Sequence, residues 1–255
     1  MVDPLASFEV RNIIPIHIFG MDISITNSSL YMLLVVALIC VVCSLGTRGK
    51  SLVPGKLQFC LEKLYLFITD TVNQQIRNKS AKMFPYIFSL FLFIMLGNII
   101  GLIPGSFSFT SQFVITMGMA FVVWLSSIIV GFVVQGKHFF RHFCPEGMPS
   151  YIAPFFVLVE IMSFCFRPVS LGIRLFANML SGHIMIEVMA GFAVSLAGIF
   201  MFDPASVIPV IANVFLNVFK LVVCVLQAYV FSVLSCIYMA ESLEPATDKS
   251  KECEV

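Results

Sequence analysis

The apolar residues of this chain fall into blocks too long to be faces of a soluble domain. Residues 28–46, 83–103 and 113–134 contain no charged side chain. A helix needs about 20 apolar residues to cross the hydrocarbon core of a bilayer, so each block predicts one crossing. The turn PGSFSFTSQ between the last two is short enough to make them a helical hairpin. Residues 54–78 read differently. Leu57, Leu61, Leu64, Ile68, Val72 and Ile76 recur every three or four positions, while Lys56, Lys63, Asp70, Asn73 and Arg77 fall elsewhere. That pattern predicts an amphipathic helix lying at the membrane interface.

Two longer apolar stretches follow, at 152–202 and 206–241. As helices they would be roughly 75 Å and 50 Å long, against a hydrocarbon core about 30 Å thick. Either the first is two crossings broken near Gly172 to Gly182, or both are single helices lying strongly tilted. Loop charge favours single crossings. Arg11 is the one basic residue of the segment 1–27. The next loop is rich in them (Arg48, Lys50, Lys56, Lys63, Arg77, Lys79, Lys82), the hairpin turn has none, the following loop has Lys137 and Arg141, and the tail 242–255 has Lys249 and Lys251. With five crossings these residues alternate sides, the N-terminus outside and the tail inside. The expected fold is a single all-α polytopic membrane domain over 1–255, with five crossing helices, one interfacial helix and a final hairpin of long tilted helices.

Composition agrees. The chain is 59% hydrophobic and 11% charged, where soluble domains carry about 25% charge. The net charge of +1, with basic residues in loops, leaves no nucleic-acid footprint. The N-terminal MVDPLASFEVR lacks a basic stretch followed by an apolar core, so the first block is expected to stay in the membrane. Cysteines such as Cys40, Cys43, Cys165, Cys224 and Cys236 fall inside apolar blocks and read as small hydrophobes. No metal or cofactor is expected, and no GxxxxGK[ST] phosphate loop is present.

The chemistry lies in polar residues inside the last two blocks. An arginine at mid-membrane costs about 2.5–3.5 kcal/mol to insert and normally faces protein or water. At 100° per residue, Arg167, Asn178 and Ser181 fall within roughly 20–40° of Arg174, and Glu160 about 40° away. Glu160, Ser163, Arg167, Arg174, Asn178 and Ser181 thus form one polar stripe. His183 lies about 180° from Arg174 and Glu187 about 140° away, on the side expected to meet the last helix. That helix has its own stripe: Asn213, Asn217, Lys220, Cys224, Gln227. Two such stripes suggest a hydrated path between the helices. Arg167 also reads as a structural ion-pair partner, and the asparagines and Gln227 as hydrogen-bonding glue between helices.

Two segments carry a family resemblance: RPVSLGIRLFANMLSGH (167–183) and LQAYVF (226–231). With DISITNSSL and the hairpin FPYIFSLFLFIMLGNIIGLIPGSFSFTSQ, the chain resembles subunit a of F-type ATP synthase, in its alphaproteobacterial and mitochondrial form. The resemblance implies a stator channel subunit with two half-channels that pass protons to and from a rotating ring of c subunits. It implies partners in that c-ring, in the peripheral-stalk b subunits and in the other synthase subunits. It also implies tilt for the two long helices. Arg174 matches the family's essential arginine; Asn178, Gly182 and His183 match neighbouring motif positions. Glu160 matches a carboxylate of the inner half-channel, and Gln227 a glutamine beside the arginine. His183 and Glu187 are candidates for the outer half-channel.

The resemblance also exposes a departure. Related chains carry an acidic residue or histidine where Lys220 stands, and often lysine where Glu187 stands. An ion pair of exchanged polarity between Glu187 and Lys220 is expected. The alternative reading is a proton-coupled secondary transporter, active alone and built on broken half-helices. The expected location is the bacterial inner membrane, or else the mitochondrial one.

Overall fold

A computed structural model describes residues 12–14, 17–18, 21–22, 24–48, 55–76, 80–103, 106–136, 153–199 and 207–243. Arg11, Lys50, Arg77, Lys79, Lys137, Arg141, Lys249 and Lys251, on which the loop-charge orientation rests, lie outside these residues. The helices are α1 (Asn27–Arg48), α2 (Lys56–Gln75), α3 (Ser80–Gly101), α4 (Phe113–Gln135), α5 (Ala153–Ile199) and α6 (Val207–Leu243). All but α2 are long and apolar enough to cross a membrane.

Four strands of two or three residues precede α1. β1 (Asn12–Ile14) pairs antiparallel with β4 (Ile25–Thr26), and β2 (His17–Ile18) with β3 (Met21–Asp22). They add a small β element that the all-α expectation did not contain. The sequence there places isoleucine at alternate positions (Ile14, Ile16, Ile18), a period suited to a strand. The membrane-spanning body is helical, as expected.

Helix ends follow local chemistry. The hydroxyl of Thr26 accepts a hydrogen bond from the Ser29 amide (3.4 Å), which caps the start of α1. Gly136 closes α4 with φ at 57°, a conformation that costs a glycine little, and its amide bonds back to Phe132 O. Pro209 falls in the first turn of α6, where no intrahelical amide bond is lost.

α2 packs its Ile68, Val72 and Ile76 face against α3, so the amphipathic stripe faces protein at its C-terminal end. Its other end exposes Leu57 and Phe59. α6 is the hub, touching α2, α3, α4 and α5. Its buried residues Lys220, Cys224, Gln227, Phe231, Ser235 and Met239 recur every three or four positions, one continuous helical face. Ile211, Phe215, Val218 and Val222 form the opposite, exposed face.

α5 answers the question of the long block. It is one continuous helix of 47 residues with Pro168 in its interior, not two crossings broken near Gly172 to Gly182. At 1.5 Å per residue it is about 70 Å long, more than twice the hydrocarbon thickness. α6 has 37 residues. Packed side by side, α5 and α6 bring both polar stripes into one structure.

Candidate proton-path site between the two long helices

The faces of α5 are set by its packing. Pro168, Leu171, Gly172, Leu175 and Met179 are buried against α4 and α6. Ser163, Ser170, Arg174, Ala177 and Ser181 are exposed on the outer side. Arg174 therefore projects from the protein where its neighbours are small. A guanidinium keeps its charge at any physiological pH, and an exposed one in the middle of an apolar helix calls for a polar partner beyond this chain.

Asn178, one turn on, turns the other way. Its Nδ2 donates to Gln227 Oε1 on α6 at 2.7 Å. The 40° between Asn178 and Arg174 is enough to take Asn178 off the outer face and into the helix contact. Gln227 is 4% exposed, and its Nε2 has no hydrogen-bond partner among the described residues. A polar layer thus lies directly behind Arg174.

Beyond that layer sit Gly182, His183, Glu187 and Lys220. Lys220 is 5% exposed, and its Nζ has no hydrogen-bond partner among the described residues. Gly182 makes this burial possible: a Cβ there would stand 3.0 Å from Lys220 Cε and 3.1 Å from Cδ. The lysine stem lies along the bare backbone of α5. His183 and Glu187 are half-buried and lie within electrostatic reach of the Lys220 charge. The expected Glu187–Lys220 contact stops short of a hydrogen bond from Nζ. Asn217 donates to Asn213 O (2.9 Å) along α6 itself, so this part of the stripe does not reach across to α5.

On the opposite side of the Asn178–Gln227 layer, Arg167 pairs with Glu241 of α6. Its guanidinium also lies over the rings of Phe164 (5.6 Å) and Tyr238 (5.5 Å). Glu160, two turns earlier on α5, is half-buried. The pattern along the chain did not single out a buried asparagine next to this site. Asn98 of α3 is 1% exposed and directs Nδ2 at Cys224 O of α6 at 3.5 Å. It is a lone asparagine in an uncharged block, and the pattern of α3 alone does not say which way it faces. Next to it, Cys224 Sγ contacts Met179 Sδ at 3.9 Å.

A family model for the ATP synthase A chain matches residues 29–240, which includes every residue named at this site except Glu241. The chain belongs to the ATP synthase subunit a family. It is 42% identical to ATP synthase subunit a of Beijerinckia indica, over 96% of this chain and 97% of that one. It is 40% identical to that of Afipia carboxidovorans (96% and 99%) and 42% identical to that of Parvibaculum lavamentivorans (96% and 94%). As a subunit a, it is a multi-pass membrane component of the synthase, with other synthase subunits as partners. The secondary-transporter alternative also lacks its structural requirement, because α5 and α6 are unbroken.

The Asn178–Gln227 contact should carry measurable coupling. In a double-mutant cycle of Asn178→Leu and Gln227→Leu, followed by unfolding in mixed micelles, the interaction energy is expected at about 0.6–1.7 kcal/mol.

Proposed function

We propose that this chain forms the two proton half-channels of the synthase membrane sector and works against a rotating c-ring. The observation that carries this reading is the order of groups along α5. Arg174 is exposed on the outer face, the Asn178–Gln227 layer lies behind it, Glu160 lies to one side and His183, Glu187 and Lys220 to the other. Two sets of titratable groups separated by a fixed positive charge suit two water paths that must not join.

The mechanism follows from the charge. A ring carboxylate arriving opposite Arg174 is favoured in its ionised form, so it gives up its proton to one half-channel before passing. It takes another from the opposite half-channel once it has moved on. Arg174 does not itself carry protons, since the guanidinium does not deprotonate. It repels a proton moving directly from one path to the other. Each elementary charge crossing contributes about 2.3 kcal/mol per 100 mV of membrane potential. Glu160 belongs to the inner half-channel, and His183 and Glu187 to the outer one. Asn217 lines the outer approach along α6, and Gly182 opens the space in which the lysine lies. The exposed faces of α5 and α6 meet the ring, the remaining lipid-facing helices hold the b subunits of the peripheral stalk, and the bacterial sources of the relatives favour the bacterial inner membrane.

Within the outer half-channel, Glu187 and Lys220 act as a charge pair of exchanged polarity, closed through water. A buried ammonium whose Nζ has no hydrogen-bond partner among the described residues is costly, and losing the opposing charge of such a pair typically costs about 3–5 kcal/mol.

Two measurements test these statements. Arg174→Ala is expected to abolish ATP-driven proton pumping in membrane vesicles while the complex still assembles; pumping at the parent rate would defeat the reading. Glu187→Lys and Lys220→Glu are each expected to impair assembly or pumping, and the double exchange to recover much of it. Equal defects in all three would remove the pair.

A further inference from the structure

Pro168 lies inside α5, six residues before Arg174, and it has no amide hydrogen. The carbonyl of Phe164, four residues earlier, therefore has no intrahelical donor from that position. In hydrocarbon no water is available to replace it. The donor comes from another helix: the indole Nε1–H of Trp124 on α4 bonds Phe164 O at 3.2 Å. Trp124 is the single tryptophan of the chain. Its ring stands 5.5 Å from the Phe164 ring and 5.4 Å from that of Phe121.

The same point is held from the other side. Arg167 lies over the rings of Phe164 and Tyr238 and pairs with Glu241, which ties it to α6. Tyr238 is within electrostatic reach of both Arg167 and Arg174. The place where α5 lacks a backbone bond is thus gripped by α4 through Trp124 and by α6 through Arg167.

From this geometry we infer that Trp124 is a positioning residue for Arg174. It supplies the donor that Pro168 withholds and so fixes the rotational setting of α5 beyond the proline, with the Arg167–Glu241 pair as its counterpart on α6. A missing i→i−4 bond is a common site of helix bending and swivel. A 10° rotation there moves a side chain 6 Å from the axis by about 1 Å. A displacement of that size can cost up to about a hundredfold in a reaction that depends on alignment. Proline is tolerated at this point in a helix that must hold a charge in register, because the lost bond is replaced by one anchored outside the helix.

This inference rests on the role proposed for Arg174. It is tested by Trp124→Phe, which keeps an aromatic ring of smaller size and removes the N–H, and by Pro168→Ala, which returns an amide to Phe164 O. Both are made singly and together in the assembled synthase, with Arg174→Ala alongside. Trp124→Phe is expected to lower ATP-driven proton pumping per assembled complex roughly tenfold. In the Pro168→Ala background the same substitution should change pumping by less than about twofold, since the carbonyl then has its own helical donor. Parent-level pumping in Trp124→Phe, or an equal loss in both backgrounds, overturns the inference. If Trp124→Phe does not assemble, the cycle is read on the amount of complex: recovery by Pro168→Ala supports the positioning role of Trp124 and no recovery overturns it. Parent-level pumping in Arg174→Ala overturns the role proposed for Arg174, and this inference with it. Loss of pumping in Arg174→Ala with none in Trp124→Phe overturns the positioning role of Trp124 alone.

Discussion

A stray carbonyl or ammonium in the middle of a bilayer has no water to bond with, so each polar atom of α5 and α6 must meet a protein partner, a hydrated space or another chain. The interface between the two helices is sorted by this constraint. Arg167 meets Glu241, the Phe164 carbonyl meets Trp124, and Asn178 meets Gln227. Arg174 and Lys220 are placed differently among the described residues. Arg174 points outward from the chain, and Lys220 is buried beside Gly182. In the proposed mechanism the first meets the ring and the second meets water and Glu187.

The sorting also separates support from function along one helix. The stretch of α5 before Arg174 is clamped to α4 and α6 by aromatic rings, an ion pair and an indole bond. Its middle is buried against α4 and α6 through Leu171, Leu175 and Met179, which leaves the opposite face small and polar around Arg174. A long helix with a proline in it holds a charge in register when neighbouring helices fix it on both sides of the proline.

Much of this was legible in the sequence because the rules of the bilayer are one-dimensional. Uninterrupted apolar runs marked α1, α3 and α4, and helical periodicity marked α2. The wheel separated Arg174 from His183, and the observed burial agrees with that separation. Length alone left α5 undecided between one helix and two, because a broken pair of crossings near Gly172 to Gly182 and one tilted helix fit the same apolar run. The direction of Asn178 differs from the wheel for a similar reason: a residue 40° from the centre of a stripe can belong to either face, and the position of Gln227 decided it. Asn98 and Trp124 were silent in the pattern, since each acts on an atom more than 35 positions away in the chain. The short β pairs ahead of α1 were missed because a two-residue period over so few residues is faint beside apolar blocks of twenty residues or so.

In the proposed mechanism the ring passes across the exposed face of α5, with Arg174 at its centre. Disulfide cross-linking reads this contact, in a chain whose native cysteines are replaced, against a cysteine beside the ring subunit's carboxylate. Cysteines at Ser170, Ala177 and Ser181, which flank Arg174 on the exposed face, are expected to cross-link. Those at Leu171 and Leu175, each 0% exposed, are expected not to. Cross-links from the buried pair, with none from the exposed three, would place the ring elsewhere and overturn the proposed mechanism.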